Sequence, residues 1–309
     1  MTYNQLWKRL TVIYNEREAQ AIVRTVLDAL FGMSLTDICL GKVTQLSADD
    51  TTRLEKIMQR LEKSEPVQYV LGAGWFAGRL FDVAPGVLIP RPETEDLVKW
   101  TCDEAKEKED NSKEERGKEE KEVSKKGEAP HPSILDIGTG SGCIAITVAL
   151  ALPQARVTAW DISTDALAIA AGNAHRLGAS VRFEHQDALS APDDEERWDV
   201  IVSNPPYICD RERADMSDNV ISYEPELALF VPDNDPFLFY RAIARYASKA
   251  LKPGGRLLFE TNTAYAHEVA QVMANEGFTA IEVRNDCFGK PRMVKGAFIR
   301  EEGRTKSEE

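Results

Sequence analysis

Five residues, Ser133-Ile134-Leu135-Asp136-Ile137, form a short apolar run that stops at Gly138-Thr139-Gly140-Ser141-Gly142 and resumes as Cys143-Ile144-Ala145-Ile146-Thr147-Val148-Ala149-Leu150. The first run has the length and residue types of a buried strand, and the second is long enough for a buried helix. Glycine lacks a Cβ, so the chain can turn sharply between them and a ligand can lie against the backbone. The helix beyond begins with free N–H groups. Such a strand, turn and helix belong to an open α/β sheet, where ligands bind beyond the carboxyl ends of the strands.

The downstream chain fits that frame. Strands are predicted near 133–138, 156–161, 181–186, 198–203, 255–261, 279–284 and 293–299, with helices near 142–152, 163–177, 236–251 and 264–276. This alternation predicts a Rossmann-like, seven-stranded, mostly parallel sheet covered on both faces. Asn285 to Arg292 is too short for a parallel crossover, so the last two strands should run antiparallel. Upstream, residues 1–72 have helical periodicity: Leu6, Leu10, Ile13 and Tyr14 on one face, Ala21, Ile22, Leu27 and Leu30 on another, and Leu54, Ile57, Met58 and Leu61 after a helix start at Ser47. They predict a small helical bundle. Residues 73–92 then read as a β-hairpin linker, with Trp75, Phe76, Leu80, Phe81, Val83, Val87, Leu88 and Ile89 spaced by glycines. The catalytic-type domain is expected over 93–309. Within it, 103–129 holds 11 acidic and 8 basic side chains and no apolar stripe. That is a charged insertion, read as a solvated helix extension or a disordered loop.

Bulk properties narrow the function. The formal charge of -13 disfavours direct binding to a long nucleic acid, which usually needs a basic face. No apolar run approaches the roughly 20 residues that span a bilayer, and Met1-Thr2-Tyr3-Asn4 lacks a secretory head, so a cytoplasmic protein without membrane attachment is expected. The five cysteines (39, 102, 143, 209, 287) have no CxxC spacing, and His131, His175, His185 and His267 are scattered, so neither a disulfide framework nor a metal site is expected. A monomer is the expected state.

The glycine loop has the spacing G-x-G-x-G, whereas dinucleotide sites use G-x-G-x-x-G. Asp136 stands two residues before it, placed to receive a ligand ammonium group directly or through water. Both details favour a nucleoside with an amino-acid tail. Asp161, ending Val157-Thr158-Ala159-Trp160-Asp161, can accept both hydroxyls of a ribose. Asp187 ends the next strand, where it could bond an adenine amino group or merely close a turn; both readings stand.

Asn204-Pro205-Pro206-Tyr207 follows the apolar strand Trp198–Ser203. Two consecutive prolines fix φ and remove two donors, leaving carbonyls aimed in defined directions. The Asn204 amide oxygen and the Pro205 carbonyl can then accept both hydrogens of a planar –NH2 group, with Tyr207 as a flat wall. An amide nitrogen is a poor nucleophile because its lone pair is delocalised. Accepting both of its N–H bonds raises electron density on nitrogen and orients it, without a strong base.

These segments, with Leu88-Ile89-Pro90-Arg91-Pro92-Glu93-Thr94-Glu95, Tyr223-Glu224-Pro225, Ala228-Leu229 and Lys252-Pro253-Gly254-Gly255, resemble the HemK/PrmC-type release-factor glutamine methyltransferases over nearly the whole chain. The resemblance implies a class I methyltransferase sheet with a helical N-terminal domain. It implies S-adenosyl-L-methionine as methyl donor, S-adenosyl-L-homocysteine as product, no metal, and the Gly-Gly-Gln glutamine of class I peptide chain release factors as target. By resemblance, Gly138, Thr139, Gly140, Ser141, Gly142, Asp161 and Asn204 contact the cofactor, and Asn204 to Tyr207 hold the glutamine amide. The N-terminal bundle meets the release factor. Glu224 is expected to line the substrate cleft, with a Glu-Pro turn as the alternative. Arg91, Glu93 and Glu95 should stitch the hairpin to the catalytic domain and cap the helix starting near Thr94. The family often carries an aromatic residue after the third-strand acid; here it is Ala188, which takes that place beside adenine. An N6-adenine or rRNA methyltransferase and an NAD-dependent dehydrogenase are the competing readings.

Overall fold

The computed structural model describes residues 1–119 and 131–299. Five helices open the chain: α1 (Tyr3–Leu10), α2 (Glu16–Phe31), α3 (Leu35–Cys39), α4 (Ala48–Leu61) and α5 (Val67–Leu71). Each of the first four begins after a polar cap or turn; the Thr2, Asn15, Ser34 and Ser47 side chains accept from backbone N–H groups of α1, α2, α3 and α4. Their buried stripes meet in one core of Leu6, Leu10, Val23, Leu27, Leu54, Met58 and Leu61. Two expected positions are corrected. Ile13 is exposed because α1 stops at Leu10, and the face of α2 is Ala19, Val23, Val26 and Leu27, leaving Ala21 in solvent. Valine at both 23 and 26 moves the apolar stripe of a 3.6-residue repeat away from Ala21.

The hairpin is shorter than expected. β1 (Ala73–Phe76) and β2 (Arg79–Asp82) pair antiparallel, with Phe76 and Phe81 buried and Trp75 exposed. Residues 83–93 leave the sheet as an irregular segment with turns near Gly86 and Pro92 and lead into α6 (Thr94–Glu119). The expected charged insertion begins on this helix: Cys102, Glu104 and Ala105 are buried, and the Lys108 ammonium donates to the Pro253 carbonyl at 2.8 Å. Alanine, lysine and glutamate favour helix, so the apolar anchor extends into a charged continuation. Residues 120–129 of that insertion lie outside the described residues.

The main sheet has β3 (Ser133–Ile137), β4 (Arg156–Asp161), β5 (Val181–His185), β6 (Trp198–Ser203), β9 (Leu251–Glu260), β10 (Phe278–Asn285) and β11 (Pro291–Phe298), in the order β10-β11-β9-β6-β3-β4-β5. All pairings are parallel except those of β11, which runs antiparallel to β9 and β10. Helices α7 (Cys143–Ala151) and α8 (Thr164–Leu177), with α6, cover one face; α11 (Leu238–Ala250) and α12 (Ala266–Asn275) cover the other. α7 is buried almost all round, as its unbroken apolar sequence requires. Between β6 and α11 the chain adds β7 (Ile208–Cys209), α9 (Asp218–Tyr223), α10 (Glu226–Leu229) and β8 (Phe230–Val231), which the strand-and-helix reading passed over. Sheet order reverses between β3 and β6, so the loops leaving these two strands part and open a crevice. No helix among the described residues is long and apolar enough to cross a membrane.

Candidate active site

The glycine loop is held from below and from one side. The Gly138 and Thr139 N–H groups both donate to the Trp160 carbonyl at 2.9 Å, and Gly140 N–H donates to Asp161 Oδ2 at 2.8 Å. Ser203 Oγ donates to the Ile137 carbonyl at 2.7 Å, which locks the end of β6 to the end of β3. Asn173 on α8 is fully buried; its Nδ2 donates to the Ser141 and Asp82 carbonyls, and its Oδ1 accepts from Asp82 N–H. One side chain thus ties the glycine loop to the hairpin.

Above the loop lies a cleft of about 330 Å³, within the range of small-molecule sites. It brings together Gly138, Gly140, Asp161, Asp187, Ala188, Asn204, Pro205 and Pro206 from four separate strand ends. Ideal Cβ atoms on Gly138 and Gly140 would meet nothing within 4 Å, so both glycines present bare backbone to open space. Asp161 faces the cleft while its Oδ1 accepts from Ser163 N–H at 2.9 Å. Asp187 lines the cleft, and its Oδ1 accepts from Leu189 N–H at 2.8 Å to close a turn. Ile162 and Leu189, exposed hydrophobics, flank Ala188 along the same wall.

Other expected residues stand elsewhere. Asp136 is fully buried under the loop, where Oδ2 accepts from Thr139 Oγ1 at 2.6 Å and Ala145 N–H at 3.2 Å. Its Oδ1 is buried with no hydrogen-bond partner among the described residues. Thr139, Ser141 and Gly142 shape the loop from behind and do not line the cleft. Tyr207 is no cleft wall: its hydroxyl is drawn inward and donates to Glu260 Oε1 at 3.3 Å. Glu224 is not in the cleft either, nor only in a turn. It is buried, accepting from Arg91 Nη2 at 2.6 Å and from Ile89 N–H at 3.2 Å, because a buried carboxylate needs a partner. That pair and the Glu95 carboxylate, which accepts from Ala77 N–H at 2.8 Å, stitch the hairpin region to the larger domain. Among the described residues no cluster of side chains could hold a metal ion.

The residues missed by sequence reasoning are of two kinds. Gly86, Val87 and Leu88, expected in the hairpin, instead line the cleft. Glu260, the last residue of Leu257-Leu258-Phe259-Glu260, is fully buried beside Thr94 and Tyr207; an acid closing a strand next to the Asn-Pro-Pro turn was the available signal.

Burial raises the Asp136 carboxyl to about 7, against the pull of its Thr139 and Ala145 donors. An acid with a raised pKa keeps its proton in the folded chain where the unfolded chain has already lost it. Folding stability should therefore fall as pH climbs from about 4 to about 7 and level off above, by a few kcal/mol. Asp136→Asn should remove part of that fall, Glu260, also raised to about 7 mainly by burial, supplying another part. Thermal melts at pH 5 and 8 check this; an undiminished fall in the variant would contradict it.

The sheet order, the glycine loop after β3 and the Asn-Pro-Pro turn after β6 together define a class I methyltransferase fold. Residues 123–225 match the family described as Methyltransferase small domain, and residues 4–72 match the PrmC N-terminal domain. The chain is 44% identical to the release factor glutamine methyltransferase of Bacteroides thetaiotaomicron over 91% of its own length and 94% of that protein's. It is 36% identical to that of Flavobacterium psychrophilum, over 95% and 97% of the two chains. A solved methyltransferase structure from Pyrococcus furiosus is similar at 13% identity, covering 82% of this chain and all of that one, with a TM-score of 0.48. The chain belongs to the HemK/PrmC-type release factor glutamine methyltransferase family.

Proposed function

We propose that this protein transfers the methyl group of S-adenosyl-L-methionine to the side-chain N5 of the glutamine in the Gly-Gly-Gln motif of class I peptide chain release factors. The observation that carries the reading is a single cleft in which Gly138, Gly140 and Asp161 face Asn204, Pro205 and Pro206. The residues present fit the donor. Bare backbone at Gly138 and Gly140 leaves room for its amino-acid portion, and Asp161 suits a ribose diol. Ile162, Ala188 and Leu189 offer apolar surface to adenine, with Asp187 at its edge. The buried Asp136 carboxyl, with an unpartnered oxygen beneath the loop, suits a cationic ligand above it.

S-adenosyl-L-methionine supplies an electrophilic methyl group on its sulfonium. The protein's own part is to place a weak nucleophile. Asn204 Oδ1 and the Pro205 carbonyl accept the two N–H bonds of the glutamine amide, which orients the nitrogen and raises its electron density. The two prolines hold that geometry before substrate arrives, so little is reorganised during the reaction. The largely apolar cleft strengthens these dipoles. The N-terminal bundle is the surface that meets the release factor.

The test is the mass of a release-factor peptide carrying Gly-Gly-Gln before and after incubation with the protein and S-adenosyl-L-methionine. One added methyl, mapped to glutamine, is expected. Methyl label entering nucleic acid and not the release factor would replace this reading with that of a base methyltransferase, whose exocyclic –NH2 is also planar. Binding of NAD without binding of S-adenosyl-L-homocysteine would replace it with a dehydrogenase.

A further inference from the structure

An asparagine amide has two ends of nearly equal shape and opposite hydrogen-bonding sense. Only with Oδ1 toward the cleft can Asn204 accept an N–H from a substrate amide. Its other end is Nδ2, which lies 3.5 Å from Thr94 Oγ1. Thr94 is the first residue of α6, and its hydroxyl donates to Glu260 Oε2 at 2.6 Å. Glu260 is fully buried at the end of β9, and the preceding residue, Phe259, pairs with Ser203 of β6. Its second oxygen accepts from Tyr207, so one carboxylate reaches both ends of the Asn-Pro-Pro-Tyr turn.

We propose that Glu260, acting through Thr94, is a positioning residue that sets which end of the Asn204 amide faces the substrate. The inference rests on the role given to Asn204 above. An ionised carboxylate only accepts, so it takes the single hydroxyl hydrogen of Thr94. The Thr94 oxygen is then left with lone pairs only, and it selects Nδ2 of Asn204 over Oδ1. A protonated Glu260 reverses the chain. It donates to Thr94, which frees the Thr94 hydrogen for Asn204 Oδ1, and the amide turns its donor end to the cleft, where it repels the N–H it should receive.

The groups around Glu260 place this reversal near neutrality. Burial, with a smaller push from Glu93 in the segment before α6, raises its carboxyl to about 7 against the pull of its Thr94 and Tyr207 hydrogen bonds and of Arg292 of β11. Arg292 is itself bonded to Asp286. Tyr207 and Tyr240 of α11 face it with hydroxyls, the latter donating to the Glu260 backbone carbonyl at 3.2 Å, and Cys143 of α7 is close enough for Glu260 to raise its thiol. Methyl transfer should therefore rise with pH through about 7 and hold above it.

The experiment measures kcat and KM for a release factor from about pH 6 to about pH 9 in the wild type, Thr94→Val, Thr94→Ser and Glu260→Gln. At high pH, Thr94→Val should lose roughly 10- to 100-fold in kcat, the scale of one misplaced electrostatic contact, with KM and S-adenosyl-L-homocysteine affinity little changed and the rise near neutrality gone; Glu260→Gln, which cannot ionise, should also lose the rise. Thr94→Ser should recover most of the rate and the pH dependence. A purely structural role would lower melting temperature and ligand affinity together and leave the rise in place; that result, or a Thr94→Ser variant no better than Thr94→Val, overturns the proposal. Independently of turnover, the Asn204 side-chain amide signal in 15N NMR should titrate near pH 7 in the wild type and not in Thr94→Val. A wild-type signal that does not titrate overturns the relay even if glutamine is methylated. A titrating signal with no methyl transfer to glutamine upholds the relay and overturns only the proposed reaction.

Discussion

Asn204→Ala is expected to lower kcat by roughly 100- to 1000-fold, the range seen when one preorganised group facing a transition state is removed. Asn204 is half-buried, and among the described residues its side chain makes one hydrogen bond, the long contact to Thr94. Its removal should leave the fold intact, with the melting temperature close to that of the wild type. The two measurements together separate chemistry from stability. Single-turnover methyl transfer at saturating release factor and S-adenosyl-L-methionine gives the first, and a thermal melt gives the second. Turnover close to the wild-type rate would remove Asn204 from the role of amide acceptor and leave the Pro205 carbonyl to carry it.

The second large effect is at Gly142, where the glycine loop passes into α7. Its φ is +81°, a region that L residues avoid, and an added Cβ would lie 2.7 Å from Ile146 Cδ1, 3.0 Å from Ala170 Cβ and 3.3 Å from Ala170 Cα. The left-handed backbone costs about 1 kcal/mol for alanine, and overpacking against a helix backbone adds about 1–3 kcal/mol. Gly142→Ala should therefore destabilise by roughly 3 kcal/mol, read as a lower denaturant midpoint at unchanged m-value. Gly138→Ala and Gly140→Ala are the controls. Both also have positive φ, but a Cβ there meets nothing within 4 Å. They should lose only the backbone part of the stability and instead weaken S-adenosyl-L-homocysteine binding, because the new methyl stands where the cleft opens. A Gly142→Ala variant that unfolds with the wild type would show that α7 and α8 can separate without penalty.

These predictions divide the loop into glycines facing a ligand and a glycine facing a helix, a division the spacing G-x-G-x-G does not reveal. The strands and the order of helices were legible because buried parallel strands are continuous apolar runs, bounded by the turns that end them. The antiparallel final pair followed from loop length alone. What escaped was long-range. Thr94 and Glu260 are 166 positions apart and Ile89 and Glu224 are 135 apart, and no local period encodes either contact. Glu224 read as a cleft or turn residue because its partner, Arg91, lies far upstream. Tyr207 read as a wall because its hydroxyl's buried acceptor sits on another strand. The segment 83–88 read as strand because Val83, Val87 and Leu88 alternate loosely with Gly86, yet its apolar side chains serve a cleft and the packing around it, with no sheet partner.

That segment has a thermodynamic consequence. Val87 and Leu88 border the cleft, and three residues beyond Leu88 Arg91 is anchored to Glu224. The covalent path from the helical bundle to the larger domain therefore runs along the wall of the cleft. If a macromolecule grips the bundle while a small molecule fills the cleft, the two share one piece of backbone, and a shift of that backbone that favours both occupants couples their binding free energies. By reciprocity the two effects are equal. If filling the cleft tightens the grip on the macromolecule by some factor, the macromolecule retains the cleft's occupant by the same factor, and the spent occupant leaves most readily once the large partner has gone.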